Sequence, residues 1–188
     1  MARREFGVAL GIPEPWTGEL QGWRERLGDP NAAGIPPHVT LLPPTALHDA
    51  DVEAVEEHLR VVAAGEQPFS LHLKGSDTFR PISPVVFVSV VEGAEDCERV
   101  QSLVRSGPLA RELGFPYHPH VTVAHDLPEP ALDQAHRAGE FAIEAGGGEE
   151  FTQLALGRAP RALARVLLGA DLHLAPAFGE RPAGRAPA

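Results

Sequence analysis

The spacing of apolar residues divides the chain into helical and extended stretches. Apolar residues recur at intervals of three and four in three places, as they do on one face of an amphipathic helix. This pattern predicts helices over residues 16–27, 52–62 and 94–104, with Asp49 as the N-cap of the second helix. Gly107-Pro108 should break the third helix before residues 109–113, and a shorter helix is expected from Pro128 to about Gly139.

Alternating or continuous apolar residues predict the strands. Residues 69–74 alternate cleanly, so Phe69, Leu71 and Leu73 should point inward. Residues 85–91 are apolar almost throughout, as expected of a strand that is covered on both faces. Six further strands are predicted: one from residue 38 that ends at Pro43-Pro44, and five over residues 6–10, 120–125, 141–145, 151–156 and 162–174.

Two of these strands carry the same four-residue motif. His38-Val39-Thr40-Leu41 and His120-Val121-Thr122-Val123 each follow a proline, and their histidines are 82 positions apart. Successive side chains of a strand point to opposite faces, so the histidine and threonine of each motif share a face while the apolar residues anchor the other. Two such strands facing each other would supply two imidazoles and two hydroxyls, a combination suited to binding a phosphate.

The paired histidines also suggest a type of catalysis. An imidazole has an unperturbed pKa of about 6.5, so near neutral pH one ring can accept a proton while the other donates one. On opposite sides of a phosphorus atom, such a pair suits in-line displacement at a phosphodiester. Thr40 and Thr122 would donate hydrogen bonds to the non-bridging oxygens, where negative charge develops.

Composition narrows the class of protein. No apolar run approaches the roughly 20 residues that span a bilayer, no secretory signal is evident, and Cys97 is the single cysteine. We therefore expect a cytoplasmic protein that is neither membrane-bound nor disulfide-linked, with one domain over residues 1–174 and a flexible Ala/Pro/Gly/Arg-rich tail at 175–188. The net charge of −10 argues against broad contact with long duplex nucleic acid but permits a small nucleotide or an RNA end.

The duplicated His-x-Thr-hydrophobic motif at this spacing resembles the 2H phosphoesterase superfamily. The closest likeness is to the bacterial 2′-5′ RNA ligase (LigT-like) proteins and their cyclic phosphodiesterase relatives. The resemblance implies an α+β fold of two pseudo-symmetric lobes, each an antiparallel sheet with helices on its outer face and the active-site cleft between them. It implies that His38 and His120 are catalytic, that Thr40 and Thr122 bind the phosphate, and that no metal or cofactor is required.

The resemblance also implies a substrate class. RNA 2′,3′-cyclic phosphate ends, 2′-5′ linkages or small cyclic nucleotides would be hydrolysed, with weak 2′-5′ joining as the reverse reaction. Separately, we expect the protein to be a monomer. Residues 75–84 look like the glycine–aromatic–basic loop that lies beside the cleft in this family. Phe79 and Arg80 are accordingly expected to contact a base and a phosphate.

Several polar and aromatic residues near the motifs are further candidates for substrate contact. Tyr117 and His118 directly precede the second motif, and His118 lies at even spacing from His120, so it is expected to face the cleft. His125 stands where many relatives carry arginine or lysine. His72 and Lys74 are not among these candidates: both lie on the polar face of their predicted strand, and that face is either solvent or the wall of the cleft.

Two other functions are compatible with these residues. The cleft could serve a nucleotide sensor with little turnover. Alternatively, His118, His120, His125 and Asp126 could be the ligands of a zinc-dependent hydrolase. The zinc hypothesis leaves the threonines and the first motif without a role.

Overall fold

The structure, a computed structural model, describes residues 3–12, 14–67 and 69–145 of the 188-residue chain. Within these residues, strands and helices alternate irregularly, as expected of an α+β protein. In chain order the elements are β1 (Arg3–Gly11), α1 (Trp16–Arg26), β2 (His38–His48), α2 (Val52–Gly65), β3 (His72–Thr78), β4 (Val85–Glu92), α3 (Ala94–Val104), β5 (His120–His125) and α4 (Glu129–Ala145).

The five strands form one antiparallel sheet in the order β1-β2-β5-β4-β3. One half of the sheet is β1 with β2, and the other is β3 with β4 and β5. The halves meet where the two motif strands lie side by side, at the register pair Val39–Val121. The predicted α+β class is confirmed, and this junction puts both motifs at the centre of the sheet.

One hydrophobic core packs the helices against the sheet. Val39 and Val121 are fully buried in it, which confirms that the apolar residues of the motifs anchor their strands. The apolar stripes predicted for the second and third helices also lie in this core. It includes Leu20 of α1, Val55, Leu59 and Val62 of α2, Cys97, Val100 and Val104 of α3, and Leu132 and Ala135 of α4.

Two strands are longer or shifted relative to their predicted ranges. β2 does not end at Pro43-Pro44 but continues to His48, because its register with β1 shifts there and proline at such an irregularity need not donate to the ladder. β3 begins at His72 and passes through Gly75, which has a φ of 75° and lies at a second register shift. Because glycine at a bulge has the same sequence signature as a loop, the prediction ended this strand too early.

Helix termini account for the other differences. The predicted strand at 141–145 is wrong, because α4 continues as a helix to Ala145. The Asp49 N-cap is wrong as well: Asp49–Asp51 form a 3₁₀ turn, and Asp51 precedes α2 without a side-chain capping bond. After the 3₁₀ turn at Gly107–Leu109 the chain is not helical, contrary to the expectation for residues 109–113. The strands predicted at 151–156 and 162–174 and the tail at 175–188 lie outside the described residues.

The length and apolar character of the helices bear on whether the chain could cross a membrane. Of those in the described part of the chain, none combines the length and the apolar character needed to cross a bilayer.

Candidate active site

The two motif strands bring four side chains together on one face of the sheet. Val39 pairs with Val121 and the strands are antiparallel, so one step along the register sets His38 opposite Thr122 and Thr40 opposite His120. Side chains directly opposite each other in such a pair have their Cβ atoms about 5 Å apart, and diagonal neighbours are about 7–8 Å apart. His38 and His120 are the diagonal pair. Their rings can therefore flank one phosphate, with a threonine beside each.

Each imidazole is held by a backbone carbonyl two residues earlier. The Nδ1 atom of His38 lies 2.8 Å from the carbonyl oxygen of Pro36, and that of His120 lies 2.7 Å from the carbonyl oxygen of His118. A carbonyl oxygen only accepts, so Nδ1 carries the hydrogen in both rings. Nε2 is left as the lone-pair nitrogen when the ring is neutral and as an N–H donor when it is protonated. Both rings are thus prepared for proton transfer at the same atom.

The environment favours the neutral form of both rings. Burial lowers the pKa of His38 and of His120, against the opposing effect of the bond to the carbonyl oxygen. Nearby positive groups lower them further: Arg24 acts on the pKa of His38, while His118 and His38 act on that of His120. The effect of His38 on the pKa of His120 follows from the placement of the two rings on adjacent strands.

An aromatic cluster supports His120 from the side of β4. The ring centroids of Phe79 and Phe87 are 4.3 Å apart, and both rings lie within 5.0 Å of the His120 ring. His118 is exposed, and its ring is stacked on His120 with a centroid separation of 6.2 Å. Phe79 and His118, both predicted near the cleft, are therefore beside a motif histidine.

Phe87 was missed by sequence reasoning. It is only 2% exposed but does not belong to the main core, because it lies on the same sheet face as Thr122, its partner in β5. Within an apolar strand it looks like any core residue. Only the register with β5 reveals that it forms the floor beside the motif residues.

Two other candidates, Arg80 and His125, form ion pairs within the protein. The Arg80 guanidinium donates to the carboxylates of Glu129 and Asp133 on α4, at 2.7 and 2.8 Å, and these bonds raise its pKa. His125 ends β5, with Nε2 3.5 Å from the Asp126 carboxylate. Arg80 is thus engaged in ion pairs with α4, and His125 lies at the opposite end of β5 from His120.

Tyr117 connects the segment before β5 to the first motif. Its hydroxyl donates to the carbonyl oxygen of Thr40 at 3.1 Å, and burial raises the pKa of this phenol. β2 and β5 pair at Val39–Val121 within the described strands, and the Tyr117 hydroxyl adds a second link between β2 and the segment that leads into β5. Tyr117 thereby helps to position Thr40, a contact between distant segments that no local sequence signal indicates.

The residues of the zinc hypothesis do not converge. In the described ranges, no three histidine, cysteine or acidic side chains are placed so that they could hold one metal ion. This holds for His118, His120, His125 and Asp126, all of which lie in those ranges.

Cys97 is fully buried in the core, and burial raises the pKa of its thiol to about 12.

Comparison with known proteins agrees with this arrangement. Residues 12–145 match the family described as the 2′-5′ RNA ligase superfamily. A protein named "Putative phosphoesterase" from Halalkalibacterium halodurans is 33% identical over 122 residues, covering 65% of this chain and 70% of that protein. Proteins of that name from Bacillus pumilus and a Geobacillus species are each 32% identical, covering 65% and 66% of this chain and 71% and 70% of their own lengths.

The family match includes both motif strands, the aromatic cluster and the contacts of Tyr117 and Arg80. It spans well over half of the chain, and the Halalkalibacterium protein exceeds 30% identity across most of its own length. The chain therefore belongs to the 2′-5′ RNA ligase superfamily, the 2H phosphoesterases.

Proposed function

We propose that the protein is a metal-independent phosphodiesterase that hydrolyses 2′,3′-cyclic phosphates or 2′-5′ phosphodiester bonds by paired-histidine acid–base catalysis. The observation that carries this proposal is the diagonal placement of two imidazoles on β2 and β5, each with Nδ1 bonded to a carbonyl oxygen. A pure nucleotide sensor would not need two rings prepared for proton transfer at the same atom.

The reaction follows from this geometry. One neutral imidazole accepts a proton at Nε2 from water as the water oxygen bonds to phosphorus. The other imidazole, protonated, gives its Nε2 proton to the departing ribose oxygen as that P–O bond breaks. The products are a phosphate monoester and a free hydroxyl. The ring that was neutral is now protonated, and the ring that was protonated is now neutral. General acid–base catalysis of this kind contributes about 10² to 10⁴-fold per group.

The threonines act on the charge of the phosphate. With Thr122 across from His38 and Thr40 across from His120, a phosphate between the rings would lie near both hydroxyls. Each hydroxyl would donate to a non-bridging oxygen and stabilise the charge that grows there in the transition state. Such donors also fix the phosphate so that the attacking and leaving oxygens face different histidines.

Hydrolysis of nucleoside 2′,3′-cyclic monophosphates, with and without EDTA, tests the proposal. Turnover that survives chelation supports it, and turnover that EDTA abolishes would point to metal-assisted hydrolysis. Tight binding without turnover would instead indicate a sensor. A dinucleotide with a 2′-5′ linkage, compared with its 3′-5′ isomer, shows which bond the enzyme prefers.

Substitution of the histidines tests the site itself. We expect His38→Ala and His120→Ala each to lower kcat/KM at least about 10²-fold, because each removes one proton-transfer group. The double variant should lose far less than the product of the two single losses, because either group is ineffective without the other.

His136→Ala on α4, a histidine without an assigned part in the site, is the matched control and should keep its activity. Circular dichroism and thermal unfolding establish that each variant is folded. Near-normal turnover by either folded motif variant would overturn the assignment of the catalytic pair.

A further inference from the structure

The polar face that carries the candidate site continues across β4 and β3. His120 is the register partner of Ser89 in β4, and Ser89 is the partner of Lys74 in β3. Paired residues of a sheet share a face. Thr40, His120, Ser89 and Lys74 therefore form a row of hydrogen-bond donors across four strands, which we call the donor row.

Lys74 brings a positive charge to the donor row. It is the single lysine of the sequence, and its side chain is exposed. Like Arg26, Arg105 and Arg111, Lys74 takes part in none of the ion pairs formed within the described ranges. What distinguishes Lys74 is its position, because its register partner Ser89 is also the partner of His120. In a chain with a net charge of −10, its ammonium group is a positive charge left available on the face of the site.

The neighbouring row does not offer the same environment. Thr122 is the partner of Phe87, and Phe87 is the partner of Asp77 in β3. Phe87 is buried against Phe79, so it presents no donor, and the exposed Asp77 carboxylate repels anions. A second phosphate next to the histidine pair is therefore favoured along the donor row and disfavoured along this one.

The dimensions suit a neighbouring phosphate. Adjacent strands lie about 4.8 Å apart, so the Cα atom of Lys74 is about 10 Å from that of His120, with Ser89 between them. The flexible stem of lysine lets its ammonium group move several ångströms toward or away from the histidines. A phosphate bound there would be separated from the reacting one by about the length of one nucleotide.

We propose that Lys74 and Ser89 bind the phosphate next to the reacting one, so that the preferred substrate is the end of an RNA chain and not a free cyclic mononucleotide. This inference rests on the proposed function, because it identifies the substrate class of the same site. Lys74 contributes charge, and the Ser89 hydroxyl contributes a hydrogen bond between the two phosphates.

Equilibrium binding tests the subsite separately from turnover. The probes are a nucleoside 3′-monophosphate and a dinucleotide with the same terminal 3′-phosphate, which adds one internal phosphate. We expect the wild-type protein to bind the dinucleotide about tenfold more tightly, as one charge-assisted contact provides. Lys74→Gln should abolish this advantage, and the slope of log Kd for the dinucleotide against log salt concentration should fall by about 0.7.

Two variants serve as matched controls. Lys74→Arg keeps the charge and should retain the dinucleotide advantage. Asp77→Asn alters the same strand in the neighbouring row and should retain or increase it. Equal affinity of the wild-type protein for both probes, or a full advantage in Lys74→Gln, would overturn the subsite.

Kinetics then separates this inference from the function on which it rests. The ratio of kcat/KM for a dinucleotide 2′,3′-cyclic phosphate to that for the mononucleotide should fall about tenfold in Lys74→Gln. If neither cyclic substrate is hydrolysed while the dinucleotide advantage in binding persists and depends on Lys74, the proposed function fails and the subsite stands. If both substrates are hydrolysed and neither rate depends on Lys74, the proposed function stands and the subsite fails.

Discussion

His38 and His120 enter their strands in the same way. Each ring bonds through Nδ1 to a carbonyl oxygen two residues earlier, across an intervening proline, and each lies in surroundings that lower its pKa. Acid–base catalysis by the pair requires one proton shared between two rings. The pH at which the pair holds one proton therefore decides when the free enzyme is competent.

We predict that kcat/KM is maximal on the acid side of pH 6.5. Both pKa values are lowered from about 6.5, so at neutral pH the free enzyme holds too few protons, and the singly protonated pair is most populated between the two lowered values. A bound phosphate anion favours the protonated rings, so the optimum of kcat should lie at higher pH than that of kcat/KM. Initial rates with a cyclic phosphodiester, whose charge is constant over this range, measure both profiles. A kcat/KM optimum well above pH 7 would contradict the prediction.

For single residues, a role can be predicted from the sequence when it depends on neighbours in the chain, and not when it depends on residues far away in sequence. The shared face of His38 and Thr40 needs only the alternation of a strand, which is local, and it was predicted from the motif. The attachment of Arg80 to Glu129 and Asp133 depends on where α4 packs, 49 and 53 residues away. No property of the sequence around Arg80 distinguishes a phosphate contact from an ion pair with a helix.

At the scale of elements, the junction of β2 and β5 is the feature on which the site depends. The strands pair at Val39–Val121, and the Tyr117 hydroxyl then bonds to the carbonyl oxygen of Thr40. This bond holds β2 to the segment that leads into β5. Tyr117 is therefore a positioning residue for Thr40.

Tyr117→Phe tests this role. We expect kcat/KM to fall about threefold to tenfold and the free energy of unfolding to fall by about 1 kcal/mol, because the hydrogen bond from Tyr117 to the carbonyl oxygen of Thr40 is lost. In a Thr40→Ala background, Tyr117→Phe should leave kcat/KM almost unchanged while the loss of stability persists. Kinetics and urea unfolding of the four proteins complete this cycle. An equal effect on kcat/KM in both backgrounds would show that Tyr117 acts independently of Thr40.

The helices and strands were predicted best where the apolar pattern extends over several helical turns. The stripes of α2 and α3 gave their buried residues, because three or more helical turns average out local ambiguity. Residues 141–145 form the last turn of α4, and such a short apolar run is equally typical of a strand. The continuation of β2 through Pro43-Pro44 depends on a register shift in its partner β1, which is a tertiary property.

For the whole molecule, the distribution of charge matters more than its total. Two arginines that are largely buried are neutralised by carboxylates: Arg24 by Asp29 at 2.9 Å, with both side chains at most 5% exposed, and Arg80 by Glu129 and Asp133. The donor row lies apart from these pairs, with its one lysine unneutralised. An acidic protein can therefore keep one unpaired positive charge on the face of its candidate site while the rest of its surface disfavours long nucleic acid.

The lowered histidine pKa values also link the site to the stability of the molecule. In the unfolded chain both histidines titrate near 6.5, so below that pH the unfolded state binds more protons than the folded state does. Stability contributed by His38 and His120 is therefore present above about pH 6.5 and is lost as the pH falls through their folded pKa values.

We predict that the urea midpoint of the wild-type protein falls between pH 7.5 and 5.5, and that it falls less in a His38→Gln, His120→Gln variant. Inorganic phosphate should raise the wild-type midpoint at pH 5.5 by binding the folded state, and should have less effect on the variant. Identical pH dependence in the two proteins would show that these rings do not govern acid stability.

The matched carbonyl bonds of His38 and His120 have a consequence for reversibility. Because both rings expose the same nitrogen in the same tautomer, neither is committed by its geometry to the role of acid or of base. Under the proposed function, the bound reactants would set the direction: water as nucleophile would give hydrolysis, and a ribose hydroxyl of a second strand, positioned where the water would attack, would give ligation. We therefore expect the ratio of the two reactions to follow from substrate supply.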